Sequence, residues 1–320
     1  MPTPQTSIVH AESFQLATLV QRATKTLEEA VPPNTRRAYG GDLRRFAAWS
    51  TSVGLASIPA EAGTIALYMR HLADSGRQIS TIVRAVAAIC TAHVRAGHPS
   101  PWTNPLVADM RSALGRELGT RPKKKHAADD EILRRMLAVV GSDLLGQRDR
   151  ALLILGWCGA FRRSELVALD VADITRASKG LVVLVSRSKT DQEGSGEETP
   201  IFFSNAAECC PVRSLDSWLA AAGIAEGAIF RQLGRRQELA ERLSPDAVRD
   251  RVKHYAKLAG LKAEDFGAHS LRSGFMTTAA RRGKDLDSIM RTSRHRSERV
   301  ARGYIQRETL HERGAGEGLL

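Results

Sequence analysis

The sequence predicts a mainly α-helical chain with a small β-hairpin insertion, an α+β protein built in two units. Three observations carry this. Apolar residues recur at spacings of three and four over most of the chain. Proline, glycine and asparagine cut those stretches into pieces of helical length. One short β-branched run, Gly180-Leu181-Val182-Val183-Leu184-Val185-Ser186, breaks the helical pattern, and Pro200-Ile201-Phe202-Phe203 follows it as a returning strand. With 320 residues, 42% hydrophobic and 26% charged, the composition is ordinary for a globular protein and the length suits two domains.

Residues 1–10 read as a loose arm and 11–119 as a helical bundle. Ser13 to Ala30 is the first candidate helix. Pro32-Pro33-Asn34 stops the chain and caps a second helix, from Thr35 to about Ser52. Pro59 introduces a third, reaching about Ala73. Ser80 opens a fourth, with Val83, Val86, Cys90 and Val94 as its apolar stripe; Gly97, Pro99 and Pro101 end it. A fifth follows Asn104-Pro105. With no strand pattern between them, these helices predict an all-α bundle.

Residues 120–128 form a basic linker containing Arg121-Pro122-Lys123-Lys124-Lys125-His126. Such a run is ordinarily a solvated tether; a strap lying along phosphates and a nuclear-import signal are the sharper alternatives. The second unit spans 129–306. Asp129-Asp130-Glu131 puts acids at a helix start, where the helix dipole favours them. Two helices lead into the segment from Gly159 to Ile174, and the β-hairpin follows, turning at Gly194-Ser195-Gly196. Helices resume at Cys210 and run, with breaks, to about Gln306. Residues 307–320 form a Gly-rich tail. Its Gly314-Ala315-Gly316-Glu317-Gly318 is no nucleotide fingerprint, since no strand precedes it and no helix follows.

The net charge of +12 speaks to partners rather than fold, and a polyanion such as DNA is the natural one. The basic residues are 37 Arg and 10 Lys, and arginine's planar fork matches phosphate oxygens. A GC-rich genome would also favour arginine. Cys90, Cys158, Cys209 and Cys210 are too few for a disulfide scaffold, and none is spaced as Cys-x-x-Cys, so no zinc framework is expected. No apolar run approaches the ~18 residues needed to span a bilayer. The start, Met1-Pro2-Thr3-Pro4, lacks the basic-then-apolar pattern of a secretion signal. A cytoplasmic protein without membrane association is the expectation.

Six positions carry candidate chemistry. Arg162 stands at a helix start in Gly159-Ala160-Phe161-Arg162-Arg163-Ser164-Glu165-Leu166. Lys189 sits where the first strand meets the hairpin turn. His269-Ser270-Leu271-Arg272 sets an imidazole and a guanidinium three residues apart on one helical face. His295 lies nine residues before Tyr304. Taken singly each has a plain structural explanation: a surface salt bridge, a solvated lysine, a basic helix, an anchoring tyrosine.

In this order they resemble the motif series of the tyrosine recombinases, or phage integrase family: Arg, hairpin Lys, His-x-x-Arg, His or Trp, then Tyr. The Arg-x-Ser-Glu-Leu phrase is met at Arg162 to Leu166, and the resemblance covers nearly the whole chain. The helical bundle is similar to the family's core-binding domain, with Asn34-Thr35-Arg36-Arg37-Ala38-Tyr39 at its usual helix start. The second unit is similar to the family's catalytic domain. Two positions depart from the pattern. Phe161 replaces the commoner small aliphatic residue before the first Arg, and Thr292-Ser293-Arg294-His295-Arg296 replaces the usual Leu-Gly-His phrase.

The resemblance implies a site-specific DNA recombinase that cuts and rejoins strands through a 3′-phosphotyrosyl intermediate. The tasks open to it are integration, excision and resolution of DNA elements. Tyr304 would attack the scissile phosphorus. A free phenol is mostly protonated at neutral pH, so His269 would take its proton. Arg162 and Arg272 would clamp the non-bridging oxygens, Lys189 would protonate the departing 5′-oxygen, and His295 would hydrogen-bond a phosphate oxygen. Glu165 would orient His269 or an arginine, or serve only its helix. One phosphoester is exchanged for another, so neither metal nor ATP, and no other cofactor, is expected.

Arg36, Arg37, Arg44 and Arg45 on one helix, and Lys123, Lys124 and Lys125 in the linker, are candidate phosphate contacts. The implied partner is double-stranded DNA with an inverted-repeat core site, bound by a homodimer, with two sites meeting in a homotetramer. A bacterial, nucleoid-bound location follows from the same resemblance. Competing expectations are a type IB topoisomerase that relaxes supercoils and a non-catalytic DNA-binding accessory protein.

Overall fold

The computed structural model describes residues 16, 18–22, 31–119, 125–186 and 196–308. Two compact units divide the chain, 1–123 and 124–320.

In the first unit, residues 16 and 18–22 are helical; the rest of the predicted first helix lies outside the described residues. Four longer helices follow: α1 (Pro33–Ser52), α2 (Ala62–Asp74), α3 (Ile79–Arg95) and α4 (Pro105–Leu118). Phe46, Tyr68, Met69, Ile82, Val86, Ile89, Val107 and Leu114 fill their core. Phe46 and Tyr68 pack with ring centroids 4.9 Å apart.

Three sequence expectations are corrected here. Asn34 does not cap α1: the helix already begins at Pro33, whose missing N–H suits a first-turn position, and no side chain caps it. The third helix starts at Ala62 rather than at Pro59: Glu61 keeps an extended backbone (φ −68°, ψ 155°) as its N-cap, and the Ala60 N–H before it donates to His93 Nε2, 2.8 Å away. On α3 the predicted stripe holds at Val86 and Cys90, which are buried, and fails at its end. Val94 is 58% exposed, and the buried line runs Ile82, Val86, Ile89, His93. A histidine takes the core position because both its nitrogens are satisfied, Nδ1 by the Ile89 carbonyl at 2.8 Å and Nε2 by Ala60. Asn104 does cap α4, accepting from the Leu106 N–H at 3.0 Å.

The second unit opens with α5 (Asp130–Ala138), capped by Asp129, whose Oδ1 accepts from the Ile132 N–H at 2.9 Å. The buried α6 (Leu144–Cys158) and the short α7 (Arg163–Ala168) follow. Strands β1 (Ile174–Ala177), β2 (Gly180–Val185) and β3 (Glu197–Phe202) form an antiparallel sheet in that order. Leu181, Val183 and Val185 face the core, and the register pairs Val183 with Thr199. Sequence patterning missed β1: its burial runs half-buried then exposed, an edge strand with one apolar residue. Helix α8 (Pro211–Ala222) starts where helices were expected to resume, but the antiparallel pair β4 (Arg231–Leu233) and β5 (Leu239–Arg242) then interrupts them. Those strands are short and rich in charge, so no β-branched run announces them. Helices α9 (Pro245–Leu258), α10 (Ala268–Arg281), α11 (Leu286–Ser293) and α12 (Glu298–Glu308) complete the unit. Among the described residues no helix is long and apolar enough to cross a membrane.

Candidate active site

The turn between α6 and α7 sets the first functional side chain. Gly159 lets the Phe161 ring fold back, for a Cβ there would lie 2.1 Å from Phe161 Cε2. Ala160 is fully buried with φ +44°, a left-handed conformation that costs a non-glycine residue about 1 kcal/mol. Its carbonyl accepts from Arg272 Nη1 at 2.6 Å and from Arg294 Nη2 at 3.2 Å. The reversal leaves Arg162 at the cap of α7. The Arg162 N–H donates to Glu165 Oε2 at 2.8 Å, and its Nη1 donates to Glu165 Oε1 at 2.5 Å. Glu165 thus serves both its helix and an arginine.

Helix α10 supplies the next pair. His269 is exposed, and Arg272, one turn on, is buried at 1%. Arg272 Nη2 reaches His295 Nδ1 at 3.1 Å. The same Nη2 is 3.4 Å from His295 Nε2; a guanidinium only donates, so the shorter contact is best met by the tautomer with Nδ1 as acceptor. The Ser293 hydroxyl lies 2.8 Å from the same Nδ1. On α12, Tyr304 is half-buried beside Met276, Ala280, Ile289 and Ala301. Its Oη is 2.7 Å from His269 Nε2.

Five of the six predicted positions therefore converge: Arg162, His269, Arg272, His295 and Tyr304. Lys189 lies outside the described residues, as do Lys123 and Lys124. Lys125 is exposed, and its ammonium donates to the Glu264 carbonyl. Arg36, Arg37, Arg44 and Arg45 are exposed along α1 in the other unit, with Arg45 held by the buried Asp42 at 2.5 Å.

Sequence reasoning missed Arg294. It closes α11 in the left-handed conformation (φ 54°, ψ 45°), and its side chain is 1% exposed. Nη1 donates to Thr199 Oγ1 at 2.6 Å and to the Thr292 carbonyl at 2.7 Å. Nη2 donates to the Gly159 and Ala160 carbonyls and, at 2.9 Å, to Glu165 Oε2. The guanidinium lies over the Phe161 ring, 4.8 Å from its centroid. The two departures from the family pattern, Phe161 and Arg294, are thus one contact. Their joint appearance in the sequence was the signal available.

Two guanidinium groups, those of Arg162 and Arg294, share the Glu165 carboxylate, and the Arg272 guanidinium lies near without pairing to it, leaving the site cationic. Burial alone would raise the Glu165 carboxyl, but Arg294, the Arg162 N–H and the Arg162 side chain outweigh it and hold it below the usual carboxylate range. Burial, with Arg162 beside it, pulls Arg272 down to about 9, still a cation at neutral pH. Burial and then Arg272 and Arg162 push His295 from its ordinary 6.5 to about 3, so it is neutral. Burial raises the Tyr304 phenol, and Arg272 offsets part of that. The arrangement suits an anion that gains charge: buried cationic donors beside a hydroxyl that lies 2.7 Å from an imidazole nitrogen. Among the described residues no group of three His, Cys, Asp or Glu is placed to hold a metal ion.

Comparison with known proteins agrees with this geometry. A family model described as the phage integrase family matches residues 128–311. The chain is 38% identical over 299 residues to an integrase/recombinase xerD homolog of Selenomonas ruminantium, covering 92% of this chain and 87% of that protein. It is 30% identical over 279 residues to a tyrosine recombinase XerC of Herpetosiphon aurantiacus, covering 85% and 84%. A lambda integrase dimer bound to a COC′ core site shares the fold, with TM-score 0.62 and 19% identity over 90% of this chain and 94% of that one. The chain belongs to the phage integrase family, the tyrosine recombinases, and is an enzyme of site-specific DNA recombination.

Proposed function

We propose that Tyr304 is the nucleophile of strand cleavage and that Arg162, Arg272, His269, His295 and Lys189 serve it. The observation that carries this is the 2.7 Å contact between His269 Nε2 and Tyr304 Oη, set beside the buried guanidinium of Arg272. In this reaction Tyr304 Oη attacks the scissile phosphorus while its proton passes to His269. The bond from phosphorus to the 5′-oxygen breaks, and Lys189 protonates that oxygen. The DNA 3′ end is left as a phosphotyrosyl ester beside a free 5′-hydroxyl. Rejoining runs the same steps backwards.

The pentavalent centre carries more charge than the ground-state diester. Arg162 and Arg272 therefore lower the barrier rather than merely tightening binding. His295 is kept neutral by burial and by its cationic neighbours, and its ring N–H would donate to a phosphate oxygen. Arg36, Arg37, Arg44 and the linker lysines Lys123, Lys124 and Lys125 contact the DNA backbone, and Arg45 does so less because Asp42 competes for it. The domain boundaries follow the sequence segments: arm 1–10, core-binding bundle 11–119, linker 120–128, catalytic domain 129–306 and tail 307–320. Two protomers occupy an inverted-repeat core site and two such sites form a tetramer. The protein works in the bacterial cytoplasm, on the nucleoid.

The test is a nicked suicide duplex carrying the cognate site. Wild-type protein forms an SDS-resistant adduct, and Tyr304→Phe forms none while binding DNA as before. An adduct with the Phe variant removes Tyr304 from the role. Relaxation of supercoiled DNA lacking paired sites, at the rate seen with them, would favour a topoisomerase instead.

A further inference from the structure

Arg294 combines two features that call for a common cause. Its backbone sits in the left-handed region, where glycine is at ease and any side chain carries a strain. Its side chain is nevertheless present, sealed from solvent at 1% exposure, and donates to five acceptors contributed by four pieces of chain. A group so enclosed cannot reach a phosphodiester. Its partners, however, are the groups that aim the residues which do.

The Ala160 carbonyl that takes Arg294 Nη2 also takes Arg272 Nη1 at 2.6 Å. The Glu165 carboxylate splits its two oxygens, Oε2 to Arg294 and Oε1 to Arg162. The Arg294 carbonyl lies 3.4 Å from Arg162 Nη2. His295 is the next residue, turned toward Arg272 by the left-handed step. Thr199, on β3, completes the set at 2.6 Å.

We propose that Arg294 is the positioning residue of this active site: a buried guanidinium that holds Glu165, the Ala160 carbonyl and Thr199 in one register, and so fixes Arg162, Arg272 and His295 around the reacting phosphate. It deepens the reading of Tyr304 as nucleophile and rests on it. By sharing Glu165, Arg294 also keeps that carboxylate from turning wholly onto Arg162 and quenching the cation the phosphate needs. A planar fork is required, since a lysine ammonium can neither span these acceptors nor lie flat on Phe161.

The experiment measures the first-order rate of covalent complex formation at saturating protein on the suicide duplex, with DNA affinity and thermal midpoint measured alongside. Arg294→Gly relieves the backbone and removes the guanidinium; Arg294→Lys keeps the charge and loses the fork. Both should bind DNA within a few-fold of wild type. The Gly variant should cleave on the order of 10²-fold more slowly, as when a preorganised donor is lost, and the Lys variant should also fall at least about tenfold. Free guanidinium ion, added well below denaturing concentration, should raise the rate of the Gly variant and leave wild type unchanged. The rate constant at saturation does not depend on how much protein is folded, so a stability loss alone leaves it intact. Wild-type rate constants in the Lys variant, or a slow Gly variant that guanidinium does not rescue, overturn the proposal. Failure of wild-type protein to form any adduct, or an adduct with Tyr304→Phe, overturns the nucleophile reading instead.

Discussion

Gly274 offers the sharpest test of how α10 is held. It lies two residues after Arg272, where the chain entering the catalytic unit presses on the helix. A Cβ at this position would stand 1.7 Å from the Ala128 carbonyl oxygen and 3.0 Å from Trp157 Nε1. Carbon and oxygen need about 3.3 Å, so Gly274→Ala forces the helix and the irregular segment at Ala128 apart by about 1.6 Å. Two bonds oppose that movement, Ala128 N–H to the Ser270 carbonyl at 2.9 Å and Trp157 Nε1 to the Ala128 carbonyl at 2.8 Å. Overpacking of this kind costs about 1–3 kcal/mol, and the better helix propensity of alanine returns at most about 1 kcal/mol. The net loss of up to about 2 kcal/mol should lower the thermal midpoint by up to about 8 °C. Cleavage should suffer more. The displaced helix carries both His269 and Arg272, and a misplacement near 1 Å costs about 10²-fold in rate. Thermal unfolding and single-turnover cleavage of the suicide duplex measure the two effects. A G274A protein that melts and cleaves like wild type would refute the close contact and the argument built on it.

Glu165→Gln should lose about 3 kcal/mol or more in urea unfolding, because Arg162 and Arg294 are then left facing each other without an anion. An unchanged midpoint would show that the carboxylate is not what neutralises them. His295 predicts an acid-side loss of stability. Below its ordinary 6.5 the unfolded chain takes a proton that the folded site, at about 3, refuses. Stability is therefore complete above pH 6.5 and falls by about 2 kcal/mol by pH 5. Urea midpoints across that range should show it in wild type and lose this part in His295→Asn; an identical slope in both proteins would contradict it. In the first unit, replacing exposed Arg37 and Arg44 by alanine should weaken binding to any duplex about equally, and reduce the salt slope by about one per residue. A loss confined to the cognate site would mean base readout rather than phosphate contact.

Much of this organisation was visible in the residues themselves. Helix limits set by local chemistry, such as Asn104 before Pro105 and Asp129 before α5, matched closely, because a capping side chain acts on its own neighbours. The misses were made at a distance. His93 belongs to the core of the first unit only because Ala60, far away in sequence, offers it an N–H. The edge strand β1 and the pair β4 and β5 exist through partners supplied by the fold rather than by their own weak patterns. The site shows the same division. The order and types of Arg162, His269, Arg272, His295 and Tyr304 single them out in the sequence, and the fold brings the five together. Arg294 could not be singled out in this way, since its role depends on five acceptors scattered from residue 159 to 292.

The stacking of Arg294 on Phe161 has an evolutionary corollary. Shrinking the ring alone would leave the cation over a void, and reverting the cation to glycine alone would strip one face of the ring of its cover. Changing either half alone should then cost more than the same change made with its partner also altered. A library varying both codons together should therefore recover functional residues at 161 and 294 as correlated pairs rather than independently.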